Sequence, residues 1–225
     1  MTDTPIRDAA SVVVLRDAAT APKILMGQRG KSAAFMPNKF VFPGGAVDQQ
    51  DRDIELASLP AELCRSRLDL MSDATLSNAI LAAAVREVWE ETGLILGAAS
   101  PEAVQVKTTD DWQGFFAGGH LPAAAGLRYF FRAITPPGRP RRFDARFFLA
   151  DAEHLIGDLD DFSRASDELS HLHWVPLNEA RDLDLPFITE VVLAEVEALA
   201  GTTSPPGSVP FFKNDTAVSQ FIRLG

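Results

Sequence analysis

Glu87, Glu90 and Glu91 fall within five residues of the stretch Arg86-Glu87-Val88-Trp89-Glu90-Glu91-Thr92-Gly93-Leu94. On an α-helix they stand at i, i+3 and i+4 and share an arc of roughly 100°. Like charges at that spacing destabilise an isolated helix by about 0.2–0.5 kcal/mol per pair, and Arg86, four residues before Glu90, is the one local counter-charge. A hard divalent cation, Mg²⁺ or Mn²⁺, would hold such acids together. It takes oxygen ligands, and the chain offers no cluster of thiols or imidazoles to compete. The same spacing also describes a solvated acidic helix face, so the choice between the two rests on what lies upstream.

The segment from Thr75 to Thr92 places Ile80, Leu81, Ala84, Val85 and Val88 on a second stripe. Its period of 3.6 predicts a helix that buries this stripe and turns the acids to a cleft. Gly93 supplies the residue type that ends a helix in the left-handed conformation at least cost. Upstream, Ala10 to Leu15 and Lys23 to Met26, with Gln28 and Arg29 following, read as paired strands. A loop opened by Gly30 and Lys31 leads to a short strand, Phe40-Val41-Phe42, which ends at Pro43-Gly44-Gly45. Two adjacent glycines allow positive φ and close backbone approach, which suits a turn beside a phosphate or a metal and equally an ordinary tight turn.

The 225 residues carry a net charge of −10 and are 46% hydrophobic. That is ample for a substantial core. The charge argues against a nucleic-acid or anionic-membrane binder, so an anionic substrate must meet a local basic patch or a bridging cation. The single Cys64 excludes an internal disulfide and a cysteine metal cluster, and fits a reducing cytoplasm. The acids and Pro5 within Met1 to Asp8 are unlike a secretory leader, and no apolar run approaches the roughly 20 residues that span a bilayer. The expected location is cytoplasmic. The final Arg-Leu-Gly differs from the Ser-Lys-Leu type of peroxisomal address.

Gly45, five residues, Asp51, and then Arg86 to Leu94 together resemble the Nudix box. That pattern runs Gly, five residues, Glu, seven residues, Arg-Glu-(aliphatic)-x-Glu-Glu-x-Gly-(aliphatic). The second half matches at every specified position. The first departs twice: Asp51 stands for the Glu, and the 34 residues 52–85 replace seven. Phe35-Met36-Pro37, Val41-Phe42-Pro43-Gly44-Gly45, Asp48, Asp51-Arg52, Thr135-Pro136 and Arg141 to Ala150 extend the likeness. They are similar to the Nudix branch that includes the mammalian peroxisomal coenzyme A diphosphatase. The resemblance implies an α/β/α sandwich with a mixed sheet and a helical insertion between the two halves of the box. The expected organisation is one domain over 1–200, with the insertion at 52–74, followed by a linker and a C-terminal docking segment over 201–225. The insertion, read as two short helices, could roof the cleft, form a homodimer contact or serve only as packing.

The resemblance also implies hydrolysis of a diphosphate that joins a nucleoside to another group. By motif position Glu90 and Glu91 are metal ligands, Glu87 is a ligand or the base, and Arg86 orients an acid through a charge-assisted hydrogen bond. Gly44 and Gly45 are expected near this helix, within reach of metal or diphosphate. Nudix members often take a base from a loop outside the box, which points to Glu168 of Asp167-Glu168. The implied substrate is coenzyme A or an acyl ester, cleaved to adenosine 3′,5′-bisphosphate and (acyl-)phosphopantetheine. Its phosphates require cations, and Arg29, Lys31, Arg139, Arg141, Arg142 and Arg146 are the candidates, since arginine binds two oxygens in its fork. Two other readings remain open. One keeps the fold and changes the substrate to ADP-ribose, a nucleotide sugar or NADH, and the other is a non-catalytic Nudix-fold ligand-binding regulator.

Further along, Asp110 to Phe116 predicts a helix, Leu127 to Thr135 and Arg142 to Ala150 a hairpin, Ser170 to Val175 a strand and Pro186 to Ala200 an amphipathic helix.

Overall fold

The computed structural model describes residues 4–31, 33, 35–216 and 218–225. Residues 1–3, the start of the stretch weighed above as a leader, lie outside the described residues. The sheet is organised around β1 (Ile6–Arg16), which at 11 residues is the longest strand among the described residues. Val12, Val13 and Val14 are fully buried, because β1 is covered on both faces. Ala10, Val12 and Val14 enter one core and Val13 and Leu15 the other, as a period of two demands.

β1 pairs antiparallel with β2 (Lys23–Arg29) and parallel with β8 (Arg142–Asp151), from Ile6 opposite Arg142 to Leu15 opposite Asp151. β8 forms the expected hairpin with β7 (Arg128–Ile134). Beyond β2 lie β3 (Phe40–Val41) and β9 (Leu169–Pro176). Beyond β7 come β10 (Val209–Lys213), parallel to it, and β11 (Gln220–Leu224). Among the described residues this makes a mixed sheet of nine strands, with β5 (Gly97–Ala99) and β6 (His120–Pro122) forming a separate small pair. Three helices, α1 (Glu62–Leu68), α2 (Ser77–Thr92) and α3 (Asp110–Ala117), pack into the first core, and α4 (Phe187–Leu199) closes the second. The result is the expected α/β/α sandwich.

Gly44–Ala46 is not a turn but a short strand, β4, laid on β1 with Gly45 opposite Ala10 and Gly44 opposite Ser11. The approach is tight: a Cβ at Gly44 would run into the backbone of Ala10 and Ser11. The glycines serve closeness rather than chain reversal. The insertion holds one α-helix, α1, not two, flanked by 3₁₀ turns at Gln49–Asp53 and Ala74–Leu76. Leu59 and Leu63 remain about half exposed, so the apolar residues there do not all form a buried stripe.

Buried arginines join the insertion and the C-terminal hairpin to the sheet. Arg132 grips Asp144 at 2.6 and 2.8 Å, reaches the Leu70 and Met71 carbonyls, and lies 4.3 Å from the Phe211 ring centre. From α1, Arg67 donates to the Pro206 and Gly207 carbonyls at 2.5 and 2.7 Å. Arg142 donates to the carbonyls of Thr135 and Asn214, both at 3.0 Å.

Candidate active site

Helix α2 delivers the acids. Its apolar stripe, Ile80, Leu81, Ala84, Val85 and Val88, is buried against β1, and Gly93 ends it with φ 77°. That fixes the rotation of the last turn and aims Glu87, Glu90 and Glu91 into a cleft of about 1320 Å³ whose floor is β4. The Gly44 N–H donates to Glu91 Oε2 at 2.7 Å, and a Cβ at Gly45 would overlap the Glu87 carboxylate. The glycine strand and the acidic turn are therefore in direct contact.

Arg86 organises the cluster. Its Nε and Nη2 donate to the two oxygens of Asp51, each at 2.9 Å, while Nη1 donates to Glu87 at 2.9 Å and to Glu90 at 2.8 Å. Nη2 also reaches the Ala46 carbonyl at 3.0 Å, which ties the helix to β4. Asp51 is fully buried, and its one-methylene shortfall from the box's Glu does not prevent a bidentate pair. Burial alone would lower the Arg86 pKa, but Asp51, Glu87 and Glu90 outweigh it and hold the charge more firmly than usual.

The acids are held the other way. Burial pushes Glu87 up to about 7, with the charge of Glu90 adding to the rise and Arg86 opposing it. Glu91 is raised well above its ordinary value by burial and by the charge of Glu87, against the pull of the Gly44 N–H. Glu90, more open, is raised by burial against the pull of Arg86. Buried carboxylates that resist ionisation invite a counter-ion.

The donor set fits a hard divalent cation in chemistry: carboxylate oxygens only, with Glu91 Oε1 buried and without a hydrogen-bond partner. It is not a ready-made cage, because Glu87 and Glu90 are drawn to Arg86. Among the described residues no three His, Cys, Asp or Glu side chains are already gathered as a metal cluster.

A pH signature follows. Glu87 keeps its proton in the folded chain up to about 7, whereas unfolded it releases it near 4.5. The native state thus binds more protons in this window, and stability falls as pH rises through it. Glu91 acts in the same sense. Asp73, Asp160 and Asp161, whose pKa values are lowered, titrate below this range. Without divalent cation, the melting temperature is expected to be lower at pH 7.5 than at pH 5.5, and Mn²⁺ to raise it more at pH 7.5. A melting temperature that climbs with pH in chelator would contradict the assignment.

Of the remaining sequence-predicted residues, Arg29, Arg141 and Glu168 line the cleft, as does Arg139. The Glu168 charge contributes to the rise at Glu87 and Glu91. Lys31 is exposed and outside the lining. Arg142 is buried on backbone carbonyls and Arg146 is buried between Asp8 and Asp144, so neither belongs to the cleft. Strand alternation explains this: Arg142, Asp144 and Arg146 point to one face of β8 and interleave acid with base. Phe35 and Phe147 line the cleft, while Phe40 packs against His173 instead.

Three contributors escaped the sequence reading. Asp111 lines the cleft and adds to the rise at Glu90. Trp112 donates its Nε1–H to Asp51 Oδ1 at 3.1 Å. Ser166 donates its backbone N–H to the Glu90 carbonyl at 2.7 Å, pinning the loop that carries Glu168 over the end of α2. None carries a local signal, since each arrives from a distant element.

A mixed sheet between helices, with an acidic helical turn set on a glycine strand, is the Nudix fold. The crystal structure of a NUDIX hydrolase from Alicyclobacillus acidocaldarius shares it: TM-score 0.63 and 29% identity, covering 90% of this chain and 99% of that one. The Caenorhabditis elegans protein named "Putative nudix hydrolase 7" is 30% identical over 185 residues, 78% of this chain and 53% of its own length. The chain thus spans about half the length of that curated relative. No family model matches it. On these comparisons the chain has the Nudix fold and is similar to Nudix hydrolases.

Proposed function

We propose that the chain hydrolyses the diphosphate bond of a nucleotide-linked substrate, and that this substrate is coenzyme A or an acyl ester of it. The observation that carries the hydrolase reading is the contact of the α2 acids with β4 on the floor of a large cleft. Glu90 and Glu91, with Glu87 and the Gly45 backbone, would hold Mg²⁺ or Mn²⁺. That ion, when bound, neutralises phosphoryl oxygens and makes water more acidic. Arg86 orients Glu87 and Glu90. Glu168, exposed on the loop pinned to the end of α2 and lining the cleft, would take a proton from water entering it. General-base help of this kind is worth about 10²–10⁴-fold.

The substrate assignment is supported by the composition of the rest of the cleft. Arg29, Arg139 and Arg141 supply cations on an acidic protein, suited to the diphosphate and a further phosphate. Phe35, Phe143, Phe187 and Phe212 line the same space and offer apolar surface for adenine, pantetheine or an acyl chain.

With Mg²⁺ or Mn²⁺ supplied, turnover is expected on coenzyme A to adenosine 3′,5′-bisphosphate, with dephospho-coenzyme A a poor substrate because it lacks the 3′-phosphate. Equal rates on the two, or faster turnover of ADP-ribose or NADH, would remove coenzyme A and leave the hydrolase.

A further inference from the structure

Asp51 is the buried anchor of the acidic cluster, and its carboxylate is saturated. Oδ1 accepts from Arg86 Nε at 2.9 Å and from Trp112 Nε1 at 3.1 Å. Oδ2 accepts from Arg86 Nη2 at 2.9 Å and from the Asp48 N–H at 2.8 Å. A carboxylate offers about four acceptor positions, so none is left over. Two of the four donors come from Arg86 and one from the local turn. The fourth comes from α3, an element outside the acidic motif altogether.

Trp112 is fully buried, with its ring centre 5.4 Å from that of Phe115 and 5.9 Å from that of Phe116. Its only polar atom points at Asp51. The same helix meets the site at a second point. Gly114 lies so close to Trp89 that a Cβ there would overlap the indole, and Trp89 lines the cleft beside Glu90.

We propose that Trp112 is a positioning residue for the acidic cluster, its N–H fixing the rotation of the Asp51 carboxylate so that Arg86 stays bidentate on Asp51. Arg86 divides its donors between Asp51 on one side and Glu87 and Glu90 on the other. When Asp51 turns away, the guanidinium is released toward the two glutamates and competes with a cation for their oxygens. Because Asp51 is shorter than the Glu of the box pattern, its reach to Arg86 depends on being held. The inference rests on the cation-dependent reading above, but its test does not require turnover.

The test is Mn²⁺ binding in the absence of substrate, read beside kcat and KM, for Trp112→Phe, Asp51→Asn, the double variant, and Phe116→Leu as a packing control. Trp112→Phe keeps the aromatic filling and removes the donor. Its Mn²⁺ affinity and kcat are expected to fall about tenfold, the low end of what outer-sphere partners contribute, with KM within about twofold of the parent. Phe116→Leu should lower the melting temperature and leave Mn²⁺ affinity unchanged. In the Asp51→Asn background the Trp112 substitution should add nothing, since it acts through that carboxylate.

Parental Mn²⁺ affinity in folded Trp112→Phe, or an additive effect in the double variant, would overturn the proposal. If Trp112→Phe does not fold, Asp51→Asn alone decides: unchanged Mn²⁺ affinity there removes the only route by which Trp112 could act. Failure of the parent chain to bind Mn²⁺ would instead refute the hydrolase mechanism itself, so the two failures are distinguishable.

Discussion

Glu90→Gln is expected to lower kcat by about 10²–10⁴-fold while leaving the fold intact. The Glu90 side chain is partly exposed to the cleft, and Arg86 Nη1 donates to it at 2.8 Å. A glutamine oxygen has the same reach and can accept the same hydrogen bond, so the Arg86 network survives. What disappears is the negative charge with which Glu90 would hold a cation. Circular dichroism and the melting temperature in chelator should match those of the parent, and kcat should not. Equal turnover in both proteins would sink the assigned role.

Arg86→Ala is expected to act on stability as much as on rate. Removing one member of a buried, hydrogen-bonded ion pair leaves the other desolvated and uncompensated, typically at a cost of roughly 3–5 kcal/mol. The whole stability of a domain is about 5–15 kcal/mol. Here the abandoned partner is Asp51, which is fully buried and would keep only the Trp112 and Asp48 N–H donors. For a chain of this size the melting temperature should drop by roughly 6–20 °C. Adding Asp51→Asn should recover part of that loss by removing the stranded charge. A variant that melts with the parent would mean that the Arg86–Asp51 pair contributes little. Arg86→Lys should fall between the two, because an ammonium keeps the charge but cannot span both Asp51 oxygens.

The acidic turn was legible because helical period is a local property: five residues suffice to put Glu87, Glu90 and Glu91 on one side, and Gly93 marks the end. The hairpin of β7 and β8 and the helices α3 and α4 were legible for the same reason. β4 was not, since two glycines have no side chains to register alternation and its pairing with β1 is decided by close backbone contact. The basic run from Arg139 to Arg146 was half legible. Arg139 and Arg141 reach the cleft, whereas Arg142 and Arg146 are buried, with Asp144 between them on the same face of β8. An acid interleaved at period two is the available signal of that outcome. Trp112 had no signal, because its partner Asp51 lies 61 residues away in the chain.

The arginines that grip the last part of the chain have a consequence for its order of synthesis. A guanidinium does not shed its proton to escape a dry environment. Until residues 206–214 have emerged from the ribosome, Arg67 lacks its two carbonyl acceptors, Arg142 lacks that of Asn214, and Arg132 lacks the Phe211 ring. The residues of the acidic cluster are translated early, but Arg67, Arg132 and Arg142 gain these partners only when the tail arrives, so chains released short of residue 206 should be cleaved by proteases faster than the whole chain.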